Sequence, residues 1–87
     1  MMDIQEKVNK TKDALVGFKY KHFKGNIYEV TDIAVNTETE QLMVIYRDIN
    51  SPQKVWARPY EMFIEEVDHT KYPDVSQKMR FEKIVDI

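Results

Sequence analysis

The sequence predicts a small, mainly β barrel of five or six short strands, with a short N-terminal helix or arm and one helical turn before the last strand. Three observations predict it. Short runs of alternating aromatic or apolar and charged residues are separated at close spacing by turn-forming residues. A change of apolar parity inside one run requires a bend, and such bends let a short sheet curl. A chain of 87 residues has room for one core and no second domain.

Residues 4–15 (IQEKVNKTKDAL) carry apolar side chains at 4, 8 and 15 with polar residues between, a thin helical stripe. Gly17 ends the pattern, so residues 1–16 are expected to be a helix or arm and 17–87 the barrel domain. Residues 18–23 (FKYKHF) alternate aromatic with lysine, which makes a half-buried strand with Phe18, Tyr20 and His22 on one face. Gly25-Asn26 follows as a tight turn, because both residues tolerate positive φ. In the next run, IYEVTDIAV, the apolar positions are 28 and 30 before Thr31-Asp32 but 33 and 35 after it. A bulge or sharp bend at Thr31-Asp32 keeps both halves facing the core.

Residues 36–40 (NTETE) form a polar loop, and residues 42–46 (LMVIY) are apolar on both parities, as in a central strand covered on both faces. Asn50-Ser51-Pro52 reads as a turn and Val55-Trp56-Ala57 as a short strand ending before Pro59. Pro59 starts one helical turn that carries Met62 and Phe63 onto the core, and residues 64–67 continue extended. Residues 68–77 lack periodicity and form a surface loop, and residues 79–85 (MRFEKIV) form the last strand.

Apolar residues are 43% and charged residues 32%, with five Tyr, four Phe and one Trp, the composition of a chain that folds by itself. With no cysteine, disulfides, thiolate metal sites and thiol nucleophiles are excluded. A net charge of −2 argues against a strong non-specific polyanion binder while leaving room for a local basic patch. The start, MMDIQEKVNK, lacks the basic and apolar regions of a signal peptide, and no window reaches the roughly 18 apolar residues of a membrane helix. The expectation is a cytoplasmic protein without a membrane partner.

The segments Tyr20-x-His22-Phe23-Lys24-Gly25-Asn26-x-Tyr28-x-Val30, Thr37-Glu38-Thr39, Val44-x-Tyr46, Trp56-x-Arg58-Pro59-x-x-Met62-Phe63 and Arg80-Phe81 together carry a resemblance. The chain resembles a bacterial domain-of-unknown-function family of small SH3-like barrels over about residues 17–84. The resemblance implies a fold and no reaction. The chain departs from the family pattern at Asn36, where a histidine is usual, and at Met79, where a proline is usual. The first departure weakens any scheme in which two histidines cooperate.

Trp56 and Arg58 lie two apart on a strand and project to one face, with Tyr46 beside them. An indole beside a guanidinium stacks on a proline, a base or a cation; the other reading makes Trp56 core and pairs Arg58 with a carboxylate such as Glu38. His22, among Tyr20, Phe23 and Tyr28, is either a structural histidine or, with Glu38 and Arg58, a small sensing or catalytic site. His69 falls in the surface loop. Lys19, Lys21 and Lys24 form a basic edge that either contacts single-stranded nucleic acid or protects a β edge from pairing. Gly25-Asn26 lacks the further glycines of a phosphate cradle, and no catalytic, metal or cofactor residue is assigned.

The leading expectation is a non-enzymatic binding module for an extended peptide or single-stranded nucleic acid, with ligand-binding residues Tyr20, His22, Tyr28, Glu38, Tyr46, Trp56, Arg58 and Tyr60. The alternatives are a structural domain that homodimerises through an open sheet edge, and a catalytic or sensing site at His22, Glu38 and Arg58.

Overall fold

A computed structural model describes residues 1–85; the last two residues of the expected barrel domain lie outside the described residues. The fold is mainly β, with five antiparallel strands in one open sheet. The first element is α1 (Ile4–Leu15), with the bounds that its apolar stripe predicts. The Asp3 carboxylate accepts the Glu6 amide at 2.8 Å and so caps the first turn, where Glu6 also favours the helix dipole. Val8 and Leu15 are buried, while Ile4 at the start of the stripe stays exposed. Gly17, at φ +88, then turns the chain into the sheet and donates its amide to the Val30 carbonyl.

The strands are β1 (Lys19–His22), β2 (Ile27–Val35), β3 (Leu42–Asp48), β4 (Ser51–Pro59) and β5 (Phe81–Lys83), in the order β4-β3-β2-β1-β5. The four-residue helix α2 (Tyr60–Phe63) comes before β5. Residues 23–26 join β1 to β2, and Gly25 alone supplies the positive φ, at +111; Asn26 does not use the freedom expected of it. In β2, Val30 pairs with Tyr46 and Asp32 with Ile45, so Thr31 is the extra residue of a bulge. The bulge keeps Val30 and Ile33 both buried, as the parity change requires.

The core lies on one side of the sheet. Tyr20, Val30, Ile33, Val44, Tyr46 and Phe81 from the strands join Val8 and Leu15 from α1 and Phe63 from α2 in one cluster. Phe63 stacks on Phe81 at 4.3 Å and meets Tyr20 and Tyr46 edge-on or tilted, at 5.2 and 5.6 Å. Both helices contribute to this inner face. The outer side of β3 is therefore only half covered at Met43 and Ile45, and β3 is not the doubly covered central strand expected; β2 is central.

Other boundaries differ from expectation for local reasons. The β3–β4 turn is at Ile49 and Asn50, and β4 begins at Ser51. Ser51 pairs with Asp48 and Val55 with Arg47, so residues 52–54 loop out of the ladder, and Pro52, which has no amide to donate, sits in that bulge. The expected last strand shrinks to Phe81–Lys83, with Met79 making an isolated bridge to Glu66. Phe18 lies before β1, exposed beneath the Lys83 ammonium, which is 3.8 Å from its ring centre. Strand β1 is interior, between β2 and β5, so Lys19 and Lys21 guard no sheet edge.

Candidate functional site

The inner face of the sheet is shared between two kinds of cover. Toward one end α1 lies against β2 and contributes Val8 and Leu15. Toward the other, the strands bring His22, Tyr28, Tyr46, Trp56, Arg58 and Phe81 together. Pairing explains the grouping: Tyr46 is opposite Trp56, Val44 opposite Arg58, and His22 opposite Phe81. Residues directly opposite in an antiparallel pair project to the same face. Curling of the sheet then brings its two edges near each other. The guanidinium of Arg58 on β4 sits 5.4 Å over the Phe81 ring on β5, although no backbone hydrogen bonds join the two strands.

Phe81 is the hub of this group. His22 meets it edge-on at 4.9 Å, Tyr46 at 5.6 Å and Tyr28 at 6.0 Å, and Tyr28 contacts Tyr46 at 5.2 Å. His22 stacks on Phe23 at 4.5 Å, and Phe23 reaches Tyr72 at 5.0 Å with the Lys24 ammonium near both rings. Trp56 stands apart from this packing. It is 50% exposed, and among the described residues no aromatic ring contacts its indole. The reading of Trp56 as core is thereby corrected, because edge strand β4 has no neighbour on its far side to cover the ring.

Arg58 donates from Nε to the Tyr46 hydroxyl at 3.3 Å. It forms no ion pair among the described residues, and the expected pairing with Glu38 is absent. Glu38 lies in the β2–β3 loop, its amide bound by the Asn36 side chain, with the length of β2 between it and the turn after His22. A catalytic group of His22, Glu38 and Arg58 is not assembled. Tyr20 is buried against Phe63, and Tyr60, the first residue of α2, packs on the core and lines a concavity beside α1, so neither lies beside Trp56 and Arg58 at the accessible rim.

The His22 ring is held in a defined state. The Lys24 amide donates to Nδ1 at 3.1 Å, which places the proton of the neutral ring on Nε2. Burial first, then the positive charges of Arg58, Lys24 and Arg80, lower its pKa below the usual histidine value. A neutral ring with a proton on Nε2 and Nδ1 engaged is a donor, not a general base.

Two concavities open elsewhere. One, of about 440 Å³, lies between α1, the β2–β3 loop and α2, lined by Lys7, Leu42 and Tyr60 among others. The other is lined by Gly17, Phe18, Lys19, Glu29 and Ile84. Neither takes in His22, Trp56 or Arg58; within the aromatic and cationic group Trp56 is exposed, His22 and Arg58 are half-buried, and Tyr46 and Phe81 belong to the buried core. Among the described residues no three His, Asp or Glu side chains gather as metal ligands, and no helix is long and apolar enough to cross a membrane.

Sequence spacing pointed to Trp56, Arg58, Tyr46, Tyr28 and His22 as members of the group. It placed Phe23 beside His22, as the structure does, and missed Phe81 as the hub and Arg80 and Tyr72 as neighbours. The aromatic at 81 reads as ordinary strand core, and its contact with Arg58 depends on the curl of the whole sheet. A family model described as "Protein of unknown function (DUF1653)" matches residues 18–83, leaving α1 outside the match. No curated protein and no solved structure matches the chain.

Proposed function

The chain belongs to the DUF1653 family of proteins of unknown function, and from that premise we propose that it is a non-enzymatic binding module that takes single-stranded nucleic acid along the accessible rim of the sheet's inner face, at Trp56, Arg58, His22 and Lys24. The observation that carries this reading is a half-exposed indole on the same face as a guanidinium that has no carboxylate partner among the described residues. Open aromatic faces stack bases of any sequence, and free cations beside them pair with phosphates. The group alternates the two: Trp56, then Arg58 and His22, then Lys24 over Phe23 and Tyr72. An extended peptide would use the rings and has less need of the cations. The fold that accompanies this reading is an SH3-like barrel: a five-stranded antiparallel sheet with a helical turn before its last strand, curled until Arg58 rests on Phe81.

Trp56 is the single tryptophan of the chain, so its emission reports on the platform directly. Titration with oligothymidylate is expected to quench it. The affinity should fall with salt at a log–log slope of about −1.4 to −2.1, the value for two or three phosphates on a single strand. Emission that responds to a proline-rich peptide and not to oligonucleotides would move the ligand to the peptide class. A second reading, homodimerisation, is favoured by one observation. Strand β4 is an open edge with Val55 60% exposed. Sedimentation that shows a monomer at all concentrations removes it.

A further inference from the structure

We infer that His22, Arg58 and Lys24 form a seat for one phosphate group, with the neutral His22 ring serving as a hydrogen-bond donor through Nε2. The inference rests on the nucleic-acid reading and names the part of the ligand that this end of the platform holds. Its basis is that the polar groups here are free donors. The Lys24 amide occupies Nδ1 of His22, leaving the ring proton on Nε2. Among the described residues Nε2 meets no protein acceptor, and no buried side-chain nitrogen or oxygen lacks a partner, so Nε2 reaches solvent. By the same reasoning the terminal guanidinium nitrogens of Arg58 reach solvent, since its hydrogen bond uses Nε alone. The Tyr46 hydroxyl accepts that bond and keeps its own proton to donate.

Three acids on neighbouring elements have partners of their own. Asp48, opposite Tyr28, accepts the Asn50 amide at 2.8 Å and caps the β3–β4 turn. Glu65 is taken by Arg80 at 3.2 Å. Glu29 is held by Arg47 at 2.7 Å. What remains is a set of donors and positive charge without a carboxylate partner among the described residues, packed against the Phe81 and Phe23 rings. Such a set suits an anion with several acceptor oxygens, and a tetrahedral phosphate offers oxygens to a guanidinium, an ammonium and an imidazole together. Arg80 also lies close enough to contribute to the lowered His22 pKa, and the Tyr28 ring meets the imidazole edge-on at 6.5 Å.

The contact between the Lys24 amide and Nδ1 supplies a test that separates fold from function. The bond runs from residue i+2 to a side chain at i, the pattern of an Asx turn. In His22→Asn the amide oxygen can accept from Lys24 and keep the turn, while the outward donor is lost. In His22→Gln the side-chain amide reaches the place of Nε2 and keeps the donor, while the turn contact is lost. Both variants lose the ring's packing on Phe23 and Phe81, so a phosphate seat predicts that His22→Asn, which keeps the turn, melts above His22→Gln but binds fluorescein-labelled oligothymidylate about tenfold more weakly than wild type, whereas His22→Gln binds within about threefold. A purely structural His22 predicts the same order of melting but the reverse order of binding, with His22→Asn the tighter of the two, and that order would overturn the inference. Ring ¹⁵N spectra of wild type with inorganic phosphate provide an independent arm, in which an Nε2–H resonance that shifts on titration supports the seat. If wild type binds the oligonucleotide and His22→Asn binds equally well, the seat fails and the wider reading stands. If oligonucleotides leave wild type unchanged while inorganic phosphate shifts the ring, the wider reading fails and the seat stands.

Discussion

Replacing Trp56 by alanine separates a binding surface from a core by magnitude. A fully covered aromatic ring buries about 150 to 250 Å². With half of its surface in solvent, Trp56 loses at most about 75 to 125 Å² of cover on truncation, an upper limit near 2 to 3 kcal/mol at about 25 cal/mol/Å². The alanine keeps part of that burial and the unfolded chain already hides some, which leaves about 1 to 2 kcal/mol. A chain of this length is stable by about 4 to 13 kcal/mol, so Trp56→Ala stays folded and its melting temperature falls by about 5 to 15 °C. Loss of a base stack costs about 1 to 3 kcal/mol, or roughly 5- to 150-fold in affinity. Circular dichroism melts give the first quantity and fluorescence polarisation with a labelled oligonucleotide gives the second. A variant that does not fold, or one that binds within twofold of wild type, refutes the reasoning.

Other outcomes follow from the same geometry. Phe63→Ala opens a cavity at the centre of the core, among Tyr20, Tyr46 and Phe81. It is expected to cost about 3 to 5 kcal/mol in urea unfolding; a loss below about 1 kcal/mol would place the core elsewhere. Glu38→Ala, remote from the platform, leaves oligonucleotide affinity unchanged, and a marked loss would return Glu38 to the site. The lowered pKa of His22 sets a pH dependence of stability. The folded state prefers the neutral ring, so its contribution is full above the unfolded value of about 6.5 and is lost as pH falls from there through the folded value. Urea midpoints across this range are expected to drop on acidification in wild type and to drop less in His22→Asn; parallel curves would exclude His22 as the cause.

How much of this could be read from the sequence depends on how local the cause was. Helix α1 was legible in full because its signal, an apolar stripe ended by Gly17, is contained in consecutive residues. The bulge at Thr31 was legible because a parity change inside one apolar run has few other solutions. Strand β4 was read too short, since Pro52 and the turn-like Asn50-Ser51 suggest a loop wherever a bulged ladder is not already known. The doubly apolar run in β3 suggested cover on both faces, while the helices pack on one. Within the site, the Trp56–Arg58 spacing gave a shared face, and strand pairing added Tyr46. Glu38 was misplaced because adjacency in a polar loop says nothing about which end of a sheet that loop occupies. The exposure of Trp56 and the Arg58–Phe81 contact depend on curvature summed over five strands, which no window of sequence contains.

The unpaired Thr31 has a consequence for how relatives of this chain should be compared. Deleting it would leave Val30 and Ile33 on one face of a regular strand, with Tyr28 on that face too and every aromatic and cationic residue retained. Such a strand would lack the kink and the added twist, and the β4 edge would lie farther from β5, taking Arg58 off Phe81. A one-position gap in an alignment at this point would therefore outweigh several substitutions in deciding whether a relative forms the same platform, although the missing residue has no part in the chemistry.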